Sequence, residues 1–195
     1  MKKNILVLLC IVGLVVGVGK SSLASNDDDS YVIKQWDFKD EDSVSEWKTD
    51  GIWASNYKGC SKGKVSWSEE YEGSAKLSVS GAPGSINFWQ KLPCDLKEYD
   101  CMEVEYAVKK PTHPIATWSM QIGPAKPHGH AQYIGVAPTK AGRYIVQMPV
   151  YQIPFVKGTP FGIGFSVWPG KSDIYVISIK LIRNGAAGEI VEIEE

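Results

Sequence analysis

The stretch CMEVEYAVK, Cys101–Lys109, alternates an unbroken apolar set with a set that carries its charged residues. Successive side chains of a strand point to opposite faces. Met102, Val104, Tyr106 and Val108 therefore form one apolar set, opposite Glu103, Glu105 and Ala107. The same period recurs on either side. In IATWSMQI (residues 115–122), Ala116, Trp118, Met120 and Ile122 point inward, and Thr117, Ser119 and Gln121 point outward. In FGIGFSVW (residues 161–168), Phe161, Ile163, Phe165 and Val167 oppose Gly162, Gly164, Ser166 and Trp168. In DIYVISIKLI (residues 173–182), the buried set is read as Ile177, Ile179 and Leu181. Strands with one apolar and one wet face are sheltered by two sheets sharing a core. The fold class is all-β, a two-sheet antiparallel β-sandwich.

Further apolar-alternating runs fall at 31–38, 51–57, 64–69, 74–80, 85–92, 131–136 and 143–150, separated by Gly, Pro, Asn, Asp and Lys clusters. No window carries a capped helical period, although residues 42–48 suit a single helical turn. The tail at 184–195 is acidic, and is either a loose end or an extra edge strand. With 195 residues, one such domain fills the chain. Its 21 basic and 22 acidic residues give a formal charge of −1, with no excess to neutralise phosphates, so no nucleic-acid partner is expected.

The N-terminus reads as an address. Lys2 and Lys3 precede an apolar run from Ile5 to Val18, then Ser22-Leu23-Ala24 offers small residues for cleavage. The run is shorter than the roughly 20 residues of a spanning helix. Residues 1–24 are expected to be a signal peptide and 25–30 a flexible acidic leader, which makes the protein secreted or periplasmic, with no membrane contact after cleavage. Cys10 lacks the small residues that precede a lipidated cysteine. Cys60, Cys94 and Cys101 survive cleavage, and Cys94–Cys101, flanking a short polar turn, is the expected disulfide in an oxidising compartment.

Five segments occur in a familiar order: QWDFKDEDSVSEW (Gln35–Trp47), EGSAKLSVS (Glu72–Ser80), DLKEYDCMEVEYAV (Asp95–Val108), FGIGFSV (Phe161–Val167) and DIYVISIKLI (Asp173–Ile182). Together they resemble the jelly-roll carbohydrate-binding modules of mannan- and glucan-binding type, such as families 11, 23 and 27. The resemblance covers residues 31–183 and implies a galactose-binding-like jelly roll with a polysaccharide partner. Ser178 stands where those families often carry Asp. The resemblance also implies one structural Ca²⁺ near the first and last strands, with Asp37, Asp40, Glu41 and Asp173 as candidate oxygen ligands and no other cofactor required.

A sugar site needs an aromatic plane beneath the ring and amides or carboxylates around its rim. Trp89 shares the polar parity of its strand with Asn87, so it is the leading contact, followed by Trp53 and Trp168. Trp36, Trp47, Trp67 and Trp118 are assigned to the core. Rim candidates are Asn87, Glu103, Glu105, Gln121 and Gln147, with Glu103, Glu105 and Gln121 placed on one face with Trp89. On this reading Trp89 stands exposed, and its truncation weakens binding while sparing stability.

Two other readings stay open. Glu103 and Glu105, two apart on a strand, are roughly 7 Å apart at the backbone, within reach of acid–base work in a small glycoside hydrolase or polysaccharide lyase. The third alternate position is Ala107, which leaves that constellation incomplete, and no serine elbow, phosphate loop or dinucleotide fingerprint is present. The other reading is a protein-binding envelope or adhesion protein. His113, His128 and His130 form a metal-binding cluster, a sugar-contacting loop or an ordinary loop surface. The sequence reading is a secreted, non-catalytic, monomeric polysaccharide-binding sandwich.

Overall fold

A computed structural model of the chain describes residues 31–49, 61–81, 84–97, 100–110, 116–123, 130–136, 140–150, 155–167, 170–183 and 191–193. The described strands are β1 (Tyr31–Asp37), β2 (Ser61–Lys62), β3 (Lys64–Ser68), β4 (Ser74–Gly81), β5 (Gly84–Lys91), β6 (Cys101–Val108), β7 (Ala116–Ile122), β8 (His130–Val136), β9 (Gly142–Pro149), β10 (Pro160–Val167), β11 (Gly170–Arg183) and β12 (Val191–Ile193). One short helix, α1 (Glu41–Ser45), follows β1. Residues 1–30, Trp53, Cys60, His113, His128 and Trp168 lie outside the described residues. No described helix is long and apolar enough to cross a membrane.

The strands form two sheets. One runs β12-β9-β6-β11-β4-β3, with β1 also paired to β11; the other runs β2-β5-β10-β7-β8. β11 is long enough to serve two neighbours along one edge: Gly170–Val176 pairs with β4, and Ser178–Arg183 pairs with β1. β12 pairs with β9, so part of the acidic tail is an edge strand.

The alternation of β6 and β10 is realised. Met102, Val104, Tyr106 and Val108 meet Phe161, Ile163, Phe165 and Val167 in one core. Its aromatic centre is Trp47 stacked on Phe88 at 4.8 Å, with Trp36 edge-on to Trp47 at 5.5 Å. Such pairs contribute about 0.5–1.5 kcal/mol beyond area burial. Their indole N–H groups need acceptors there. Gln90, on the inward parity of β5, meets both, its Oε1 accepting from Trp36 Nε1 at 2.9 Å and Trp47 Nε1 at 3.1 Å.

β11 departs from simple alternation. Ile174 and Val176 face the core, and then Ile179 and Leu181 do. A bulge between Val176 and Ser178 inserts one residue against β6 and switches the parity. Ile177, expected in the core, is instead only partly buried and lines a cavity on the outer face.

Cys94 and Cys101 are free thiols rather than the expected bridge. Cys101 shares the outward parity of β6 with Glu103, whereas Cys94 packs against the core cluster. The turn between them is pinned elsewhere. Asp100 accepts from Lys97 N at 2.8 Å and from Arg183 Nε and Nη2 at 3.2 and 3.3 Å.

Candidate functional site

The outer face of the five-stranded sheet is built around two glycines of β10. Gly164 lies between Asn87 of β5 and Ser119 of β7, and Gly162 between Trp89 and Gln121. The central strand carries no side chain at these two positions, and both glycines are buried beneath side chains of the flanking strands. A Cβ at Gly164 would stand 2.5 Å from Ser119 Oγ, 2.7 Å from Gln121 Nε2 and 3.1 Å from Asn87 Oδ1. Three polar tips from two strands thus converge on one point above the glycine. Gln121 Nε2 donates to Ser119 Oγ at 3.2 Å. Gln121 Oε1 is buried and has no hydrogen-bond partner among the described residues. A buried acceptor without a donor costs about 1–3 kcal/mol.

Trp89 keeps its outward parity, since Ile86 and Phe88 belong to the core cluster and Trp89 does not. It is nevertheless only 7% exposed, so the expectation of an exposed platform is corrected. The segment after Trp47 runs alongside β5: Lys48 N donates to Trp89 O at 2.7 Å, and Trp89 N to Lys48 O at 2.9 Å. Lys48 Nζ then lies 5.2 Å from the ring centroid, a cation–π contact. On the other side, a Cβ at Gly162 would meet Phe88 O at 2.3 Å and Trp89 Cβ at 2.6 Å. Trp89 therefore packs against Gly162, with its ring largely covered.

Glu103, Glu105 and Gln147 do not share this face. Their strands β6 and β9 belong to the seven-stranded sheet, so they point from the opposite side of the sandwich. Each carboxylate is engaged. Lys180 Nζ donates to Glu103 Oε1 at 2.9 Å and Gln147 Nε2 to Glu103 Oε2 at 2.8 Å. Arg143 Nε donates to Glu105 Oε1 at 2.6 Å and Ser178 Oγ to Glu105 Oε2 at 3.4 Å. Cross-strand pairing across β9, β6 and β11 ties up the acids that a hydrolase reading would use. Beside them a cavity of about 560 Å³ is lined by Gln35, Asp37, Tyr71, Arg143, Ser178 and Lys180, among others.

No protein-family model matches the chain, and comparison with curated proteins finds no match. Solved structures do match. Carbohydrate-binding modules of the β-sandwich superfamily, described for promiscuous specificity, align at 16% identity and a TM-score of 0.50, over 75% of this chain and 60% of theirs. The fold is that of these β-sandwich modules. A family 27 carbohydrate-binding module with specific mannan recognition aligns at 14% identity and a TM-score of 0.49, over 79% of this chain and 98% of its own. A Bacillus subtilis protein with a galectin-like fold aligns at 9% identity and a TM-score of 0.44, over 80% of this chain and 99% of its own.

The calcium ligands implied for such a module do not fit together here. Asp40 is the N-cap of α1, its carboxylate accepting from Ser43 N at 2.8 Å. Asp37 accepts from Gln35 Nε2 at 2.7 Å and lies opposite Ser178, whereas Asp173 lies five positions earlier on β11, roughly 17 Å along the strand. Asp173 is instead paired with Lys76 at 3.4 Å. Glu41 is exposed on the first turn of α1. Among the described residues no group of three or more His, Cys, Asp or Glu side chains could hold a metal ion. His130 opens β8, whereas Trp53 and Trp168 are expected contacts that fall outside the described residues. The residues that sequence reasoning passed over are Ser119, Gly162, Gly164 and Lys48. Two glycines alternating on the polar parity of FGIGFSV were the available signal for this cluster.

Proposed function

We propose that the protein is an exported, non-catalytic carbohydrate-binding protein that takes a β-linked polysaccharide, a mannan or a glucan, along the outer face of the five-stranded sheet. The observation that carries this is the convergence of Asn87, Ser119 and Gln121 over Gly164, with the unpartnered Gln121 Oε1 among them. Side-chain amides and hydroxyls both donate and accept, as adjacent sugar hydroxyls require. The fold shared with carbohydrate-binding modules supports the reading, and the full engagement of Glu103 and Glu105 favours binding over hydrolysis.

Native affinity electrophoresis on neutral glucomannan and on a β-glucan tests it. Migration of the protein is expected to be retarded by at least one of them. Gln121→Ala removes two of the polar atoms and is expected to weaken binding roughly tenfold, about 1.4 kcal/mol, with an unchanged melting temperature. Unretarded parent protein on every β-mannan and β-glucan would overturn the reading.

A further inference from the structure

The opposite face of the sandwich carries a concentration of positive charge. A cavity of about 430 Å³ opens where the end of β6 meets the start of β11, lined by Lys76, Lys109, Lys110, Lys171, Ser172 and Tyr175, with Asp173 alongside. It shares Lys76, Lys171 and Asp173 with an adjoining hollow of about 300 Å³ that reaches Lys64, Ser78 and Ser80. Five lysines therefore gather on one end of a sheet in a chain whose formal charge is −1. Two acids oppose them: Asp173 pairs with Lys76, and Glu70 with Lys109. Lys110 and Lys171 are exposed.

Like charges gathered in this way repel one another unless an anion sits among them. Ser78 and Ser80 of β4 lie opposite Asp173 and Lys171, so two hydroxyls share the outward face with the lysines. Lys76 also stays firmly charged. Burial works against the ammonium, but Asp173 and Tyr175 outweigh it and hold its pKa above the ordinary lysine value.

We propose that this cleft binds an anionic glycan, a sugar chain bearing carboxylate or sulfate groups, with Lys110 and Lys171 pairing its charges and the serine hydroxyls meeting its hydroxyls. Single-stranded nucleic acid is disfavoured because base stacking needs an open aromatic face. Tyr175 is only 5% exposed, with Lys76 Nζ 5.4 Å from its ring and Tyr71 packed on it at 5.4 Å. The choice of a glycan rests on the sugar-binding reading, whereas the cleft itself is separate from the Gly164 cluster, on the other sheet.

Calorimetric titration of the full chain with polygalacturonate, dextran sulfate, neutral glucomannan and a single-stranded oligodeoxynucleotide tests the assignment. At least one of the two anionic glycans is expected to bind, and the arm that responds names the charged group. In Lys110→Glu/Lys171→Glu that affinity is expected to fall about tenfold or more, as it does for the parent at high salt. Glucomannan binding should stay at the parent level. Both substituted residues are exposed, so the melting temperature should hold. The assignment is overturned if neither anionic glycan binds at low salt, if the double variant binds as the parent does, or if the oligonucleotide binds as tightly as the glycans. Loss of glucomannan binding in Gln121→Ala reports on the other face alone, so the two claims fail separately.

Discussion

Cys101 is fully buried on the outward side of β6, between Asp100 and Glu103 in sequence. Burial first, then the Glu103 and Asp100 carboxylates, push its thiol up from 9.0 to about 12. A thiol raised on folding stabilises the native state below its unfolded value and loses that contribution as pH climbs toward the folded one. The protein is therefore expected to lose stability between about pH 9 and 12, by at most about 1.4 kcal/mol per pH unit from this group. Urea unfolding across that range checks it, and Cys101→Ala should flatten the loss. Native Cys101 should also resist alkylation at pH 8 while the half-buried Cys94 reacts sooner, as peptide mapping would show. Trp89 makes a related point. Its outward parity was legible in SINFWQK, but its cover was not, because Lys48 reaches it from forty-one positions away in the chain. Trp89→Ala is therefore expected to cost about 3 kcal/mol of stability, measured by urea unfolding, in place of the neutral truncation that exposure would give.

At the level of elements, alternation located most of the described strands because each has one consistently apolar face, whereas the run at 51–57 lies outside the described residues. It could not say which of two sheets a strand joins. Glu103 and Gln121 both read as outward, and both are, yet they leave the sandwich on opposite sides. Strand order is a property of long-range pairing, and no local pattern encodes it. The bulge in β11 was hidden for the same reason: one inserted residue at Ile177 is visible only against its partner β6. The two glycines of β10 separate cleanly by experiment. A methyl at Gly162 would strike backbone at 2.3 Å, so Gly162→Ala is expected to destabilise by about 1–3 kcal/mol. A methyl at Gly164 meets the ends of Ser119 and Gln121, which can turn aside. Gly164→Ala should melt near the parent temperature and bind neutral polysaccharide roughly tenfold more weakly, which melting curves and affinity electrophoresis would show together.

The whole molecule is a sandwich with two unlike outer faces. The five-stranded sheet carries a cluster of amides and a hydroxyl packed over Gly164, and the seven-stranded sheet offers engaged acids at one end and lysines at the other. A common apolar core holds them apart, so a substitution on one face should leave the other unaltered. The central claim is that neutral sugar binds over Gly164. Amide chemical-shift mapping of the isotope-labelled protein, titrated with β-linked manno- and gluco-oligosaccharides, tests it most directly. The predicted result is that the largest shifts gather on Asn87, Ser119, Gln121, Gly162 and Gly164 with one of the two sugars. Shifts gathered instead on Glu103, Glu105, Gln147 and Lys180 would contradict it and put the sugar on the other face.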